Sequence, residues 1–170
     1  MRVVVDDLAF LQCDAIVRPV TARLDSTTPA VRRLERVGGP EFVNRLRLQK
    51  DLAVGAAVVT GAGGDLAAEF VIHAVIQSDT EPVTRETVAR AWLSALEQAR
   101  EWEFARITTP PFGIGAGNLA TEDAATIMVT VLKSQELHTT LPSDICIVVE
   151  TAEEREAFEA TARAMGVTGA

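Results

Sequence analysis

The chain has 170 residues and a formal net charge of −8 at pH 7, which is enough length for one domain with a sizeable core and too little for two ordinary ones. The acidic balance argues against a general affinity for nucleic-acid backbones, because such binding needs clustered positive charge. No segment approaches the roughly 18–20 uninterrupted apolar residues of a membrane helix, and Cys13 and Cys146 have no paired spacing, so no zinc site, disulfide framework or metal ligand set is expected.

Val3-Val4-Val5 reads as a strand that ends in Asp6-Asp7-Leu8. The start of the chain runs directly into it, without the basic segment and apolar core of a signal peptide, and a soluble cytoplasmic protein is the expectation. Asp14-Ala15-Ile16-Val17 reads as a second strand, closed by Arg18-Pro19. The small and polar residues from Thr21 to Pro29 form a loop leading into a helix from Ala30 to Val37, with Pro29 suited to its first turn and Gly38-Gly39 at its end. A further helix follows from Pro40 to Gln49. The arginines of this region, Arg32, Arg33, Arg36, Arg45 and Arg47, form either a solvated helix face or a docking patch for an anionic partner.

Gly55 to Thr60 is a strand candidate, Gly61-Ala62-Gly63-Gly64-Asp65 a turn, and Phe70 to Ile76 a strand apolar on both faces, as central strands of mixed α/β sheets are. His73, inside that strand, reads as a satisfied core histidine. Thr84 to Trp102 is the clearest helix, with Val88, Ala91, Trp92, Ala95, Leu96 and Ala99 at helical spacing. Arg106 to Thr109 is a strand, Ala124 to Leu137 a helix, Ile145 to Val149 the last strand and Glu153 to Met165 the last helix. Alternating strands and helices predict one α/β domain over residues 1–170, a three-layer α/β/α sandwich with a mixed central sheet.

Chemistry concentrates between the Arg106 strand and the helix after it, in Pro110-Pro111-Phe112-Gly113-Ile114-Gly115-Ala116-Gly117-Asn118. Strand, glycine loop and helix N-terminus together can hold a phosphate on bare N–H groups; the same stretch also reads as a tight strand-to-helix turn with no ligand. Ligands in such sheets sit beyond the strand ends. That rim holds Asp7, the loop from Arg18 to Pro29 and the loop from Gly113 to Asn118. Arg18 there either pairs with a carboxylate such as Asp7 or reaches for a ligand phosphate.

The order of these segments resembles the macro domain family of ADP-ribose-binding modules. The likeness rests on Gly55-Ala56-Ala57-Val58-Val59-Thr60-Gly61-Ala62-Gly63-Gly64, then Phe70-Val71-Ile72-His73-Ala74-Val75, then the Pro110 to Asn118 stretch, with Asp7-Leu8 upstream of Asp14-Ala15-Ile16-Val17. The resemblance implies that Asp7 accepts a hydrogen bond from the adenine amino group, that Leu8 contacts the ring, and that Gly113, Ile114, Gly115, Ala116, Gly117 and Asn118 wrap the diphosphate. It implies ADP-ribose or a related nucleotide as ligand, ADP-ribosylated protein as a possible partner, and no separate cofactor.

The same resemblance exposes departures. Where active members read Asn-Ala-Ala-Asn, this chain has Arg18-Pro19-Val20-Thr21, and a glycine run is replaced by Thr27-Thr28-Pro29. A threonine hydroxyl cannot supply an amide's paired donor and acceptor, and proline has no N–H. Ile114 stands for the usual Ser or Thr, and Val148-Val149-Glu150 where an aromatic often stacks. No catalytic residue is identified; Arg18 and Thr21 are the candidates. Three readings follow: a binding module with weak or absent hydrolase activity, a hydrolase of ADP-ribosyl or O-acetyl-ADP-ribose bonds using a non-standard site, and a protein-interaction module whose pocket is plugged by Thr27, Thr28, Pro29 and Ile114.

Overall fold

The computed structural model describes residues 1–115, 119–136 and 140–167. Six strands, β1 (Arg2–Val5), β2 (Ala15–Thr21), β3 (Ala57–Gly61), β4 (Phe70–Gln77), β5 (Arg106–Thr109) and β6 (Asp144–Val149), form one sheet in the order β1-β6-β5-β2-β4-β3. Only β3 runs against its neighbour, so the sheet is mixed, and the C-terminal ends of β1, β6, β5 and β2 face one rim. Four helices complete the described elements: α1 (Pro29–Arg47), α2 (Arg85–Glu101), α3 (Thr121–Glu136) and α4 (Ala152–Met165).

Strand alternation divides the sheet into two apolar faces. Ala15, Val17, Ile72, Ala74, Ile107 and Ile147 pack with Trp92 of α2, Met128 of α3 and Phe158 of α4, and the Trp92 indole donates 3.1 Å to the Met128 carbonyl. On the opposite face Val20, Val71 and Val75 meet Phe42 and Leu46 of α1, while Ile16, Cys146 and Val148 meet Leu8 and Leu34. Burial on both faces is why β4 reads as a continuous apolar run rather than an alternating one. The result is the α/β/α sandwich expected from the sequence.

One expected boundary shifts for an identifiable reason, and another holds. β2 does not close at Arg18-Pro19 but continues to Thr21, pairing with β4 throughout, whereas its pairing with β5 stops at Ile16. Beyond that point one side of β2 carries no ladder, and a proline without an N–H is tolerated there. The two helices expected on either side of Gly38-Gly39 are present as the two segments of α1, which meet at Gly39, where φ is 80° and ψ −179°. The residue before a proline is excluded from the helical region, and a glycine can escape to positive φ when Pro40 follows it. Thr28 caps α1, its hydroxyl accepting from the Val31 N–H at 3.3 Å, and Thr84 with Thr87 forms a reciprocal cap on α2.

Candidate functional site

A cavity of about 640 Å³ lies beyond the C-terminal ends of β1, β6 and β5, against the start of α1. Asp6, Asp7 and Leu8 after β1 form one wall, Val148, Val149 and Glu150 at the end of β6 with Glu154 of α4 the next, and Pro110, Pro111, Ile114 and Gly115 after β5 the floor of the loop side. The first turn of α1 closes it with Thr28, Pro29, Ala30 and Arg33. The Thr28 methyl stands 3.4 Å from where a Cβ on Gly115 would lie, so a side chain there would just fit between the loop after β5 and the start of α1.

Asp7 sits in this wall with an organised carboxylate. Its Oδ1 accepts from the Ala9 N–H at 3.1 Å, and its Oδ2 accepts from Arg33 Nη2 at 2.8 Å and Nε at 3.3 Å. The Arg33 hydrogen bond, helped by the Ala9 N–H, holds the Asp7 carboxyl below the usual carboxylate range against the opposing effect of burial. Arg33 is itself backed by the half-exposed Phe10 ring, 5.7 Å from guanidinium carbon to centroid. Among the described lining residues Arg33 is the one cation, facing Asp6, Asp7, Glu150 and Glu154.

Arg18 is placed elsewhere. Its side chain is fully buried on the α1 face of the sheet, outside the cavity lining. Nε donates to His73 Nδ1 at 2.9 Å, Nη1 to Ser26 Oγ at 3.1 Å and Glu35 Oε1 at 3.3 Å, and Nη2 to the Leu24 carbonyl at 2.5 Å. It therefore pairs with a carboxylate, but Glu35 rather than Asp7. His73 is satisfied in turn: because arginine has no acceptor, Nδ1 accepts and Nε2 carries the proton toward Thr60 Oγ1, 2.8 Å away. Burial, and then the Arg18 charge, push the His73 pKa well below its ordinary value.

Thr21 also lies outside the lining. Its hydroxyl accepts from the Arg23 and Asp25 N–H groups at 3.3 and 3.2 Å, closing the turn that doubles back so that Ser26 bridges Val20. Thr27 donates to the Pro19 carbonyl at 3.3 Å. The segment between β2 and α1 is thus folded onto β2 and held from beneath by Arg18. Of the sequence candidates, Asp7, Leu8, Ile114 and Gly115 come together in the cavity, Arg18, Thr21 and Gly113 do not line it, and Ala116, Gly117 and Asn118 lie outside the described residues. Thr28, Pro29 and Ile114 are walls of an open space.

A family model for the macro domain matches residues 17–128. The chain belongs to the macro domain family. An Aquifex aeolicus protein is 29% identical over 168 residues, with 98% of each chain covered, and a macro domain-containing protein of Caldanaerobacter subterraneus is 28% identical over 78% of each. A Mycobacterium tuberculosis protein is 31% identical over 75% of this chain, and the match spans only 35% of that longer relative. Among solved structures, an Oceanobacillus iheyensis macrodomain variant with ADPR superposes with a TM-score of 0.86 at 18% identity, covering 98% of this chain and 93% of that one. The same bacterium's macrodomain with ADP gives 0.80 at 19%, covering 96% and 90%.

Within this macro domain Gly113 serves the backbone rather than the cavity. Its φ is 83°, and a Cβ would lie 2.7 Å from Leu119 Cδ1 and 3.0 Å from Val88 Cγ2. Its carbonyl accepts from the Leu119 N–H at 3.0 Å, tying the loop to the chain just before α3. Gly113→Ala is expected to destabilise the fold by about 1–2 kcal/mol from the left-handed backbone alone, with the Leu119 and Val88 contacts adding to it. A urea midpoint unchanged from the wild type would contradict this assignment. Arg33 is the site residue that sequence reasoning did not single out, because its partner Asp7 is 26 positions away and a helical arginine cluster carries no sign of which member faces inward.

Proposed function

We propose that this macro domain binds ADP-ribose or a related nucleotide in the cavity at the strand ends and hydrolyses ADP-ribosyl bonds weakly or not at all. The carrying observation is the division between the two ends of the site. Asp7, Leu8, Ile114 and Gly115 line an open cavity of about 640 Å³, within the roughly 300–1,000 Å³ usual for small-molecule sites. Arg18 and Thr21, in the place of the family's catalytic Asn-Ala-Ala-Asn, are spent on β2 and its turn. Hydrolysis needs a water held beside the anomeric carbon, and these side chains do not present a group there.

The volume supports binding over the plugged-pocket reading, since Thr28, Pro29 and Ile114 border the space without filling it. The solved Oceanobacillus macrodomains with ADPR and with ADP, which share this fold, support the ligand class. ADP-ribosylated protein is the corresponding macromolecular partner.

Calorimetric titration with ADP-ribose tests the reading. Binding is expected, and Asp7→Ala is expected to weaken it at least about tenfold, as loss of a hydrogen bond to a charged acceptor does. In parallel, incubation with O-acetyl-ADP-ribose or mono-ADP-ribosylated protein is expected to release no product above background. Titration without heat at any attainable concentration would refute the binding reading, and turnover at an enzyme-like rate would refute the rest.

A further inference from the structure

The Asp7 carboxylate does not face the cavity alone. Arg33 takes it in a two-pronged contact through Nη2 and Nε, and the Phe10 ring supports the guanidinium from outside. Both residues of the pair line the cavity. The side of the pair that meets a ligand therefore contains an acceptor and a donor next to each other, since an ionised carboxylate only accepts and a guanidinium only donates. Arg33 Nη1 forms no hydrogen bond among the described residues, which leaves its N–H groups to point at a ligand.

A bare carboxylate at that position would sort purine bases simply. It attracts the amino group that adenine carries at its 6-position, and it repels the carbonyl oxygen that guanine and hypoxanthine carry there. Pairing with a guanidinium offsets the carboxylate's charge and sets a donor beside it, so that an edge with the carbonyl also finds a complement. We infer that Arg33 is a specificity-determining residue of this cavity, widening its base preference from 6-aminopurine nucleotides to include 6-oxopurine nucleotides. The inference rests on the nucleotide reading proposed above, with Asp7 at the base end.

ADP and IDP share ribose and diphosphate and differ at the 6-position, which makes them suitable probes. Calorimetric titration of the wild type is expected to give dissociation constants within about threefold of one another, and Arg33→Met is expected to favour ADP by about tenfold or more. The ratio isolates the base, because losing a cation from an acidic cavity weakens both diphosphates together. Arg33 is exposed and its ion pair with Asp7 lies at the surface, so the variant is expected to unfold within about 4 °C of the wild type. A wild type that already prefers ADP tenfold, or a ratio unmoved by Arg33→Met, would overturn the role of Arg33 while leaving the nucleotide site standing. Binding of neither nucleotide by the wild type would overturn both.

Discussion

Arg18→Ala is expected to destabilise the protein by about 3–5 kcal/mol, the range for breaking a buried ion pair by removing one partner. For a chain of this size that corresponds to a melting temperature lower by about 6–20 °C. The cost comes from what the guanidinium leaves behind. Leu24 loses a donor to its buried carbonyl, His73 loses the donor to Nδ1, and Ser26 and Glu35 lose a shared partner. A void also opens under Phe42, whose ring centroid lies 6.0 Å from the guanidinium carbon. Arg18→Met separates the two contributions: it restores much of the packing and none of the hydrogen bonds, so it is expected to recover only part of the loss. A melting temperature for Arg18→Ala within about 2 °C of wild type would show that the network contributes little.

That variant also reaches the site. Leu24, at φ 65°, sits in the left-handed region that a leucine adopts only under constraint, and the Arg18 contact to its carbonyl is part of that constraint. The same turn leads three residues later into Thr28, Pro29 and Ala30 of the cavity wall. Releasing it loosens the wall, so nucleotide affinity is expected to fall along with stability in Arg18→Ala, with Asp7 and Arg33 untouched.

Much of this architecture was legible in the sequence because each element carried a local signal. The Phe70 to Ile76 run, the helical spacing from Val88 to Ala99 and the proline at the start of α1 all depend on neighbours within a turn or a strand. Where the expectation failed, the deciding contact was distant. Arg18-Pro19 looks like a strand terminator until the pairing partner is known: β4 accompanies β2 through Thr21 while β5 leaves it at Ile16, and that asymmetry is a property of the sheet.

The site was half legible for the same reason. Asp7 and the glycine loop announce themselves by residue type at the end of a strand, and Asp7 reaches the cavity together with Ile114 and Gly115 of the loop. The direction of Arg18 could not be read while Arg18-Pro19 passed for the end of β2, since it is the register within the longer strand that sets which face the side chain takes. Arg18 falls on the face of Ile16, Val20 and His73, under α1, and is fully buried there outside the cavity lining. Arg33 was hidden inside a run of arginines. Arg45 of that run donates to the Ala62 carbonyl instead, so the cluster divides into separate duties that only the fold assigns.

Stability is expected to fall as the pH drops below about 6.5, through His73. In the unfolded chain His73 titrates near its ordinary value of 6.5, whereas in the folded chain burial and the Arg18 charge hold it neutral well below that. Between the two values the unfolded state binds a proton that the folded state does not, so unfolding becomes easier by up to about 1.4 kcal/mol per pH unit. The structure gives the proton no easy place: Nδ1 faces Arg18 Nε at 2.9 Å, Nε2 already serves Thr60, and the Phe42 ring covers one side at 6.1 Å between centroids. The paired carboxylates act in a different window. Asp7 and Asp144 are held below their ordinary value of 3.8 by Arg33 and Arg2, so their contribution persists above that value and is lost only as the pH falls through the lowered ones. Urea midpoints from about pH 7.5 to 4.5 in the wild type and in His73→Gln separate the histidine. The wild type is expected to lose stability progressively below 6.5 and the glutamine variant, whose amide cannot titrate, to hold a flatter profile over the same range. A wild-type midpoint independent of pH down to about 4.5 would mean that the folded network accommodates the second proton, and that the Arg18 to His73 contact is not held as tightly as its geometry indicates.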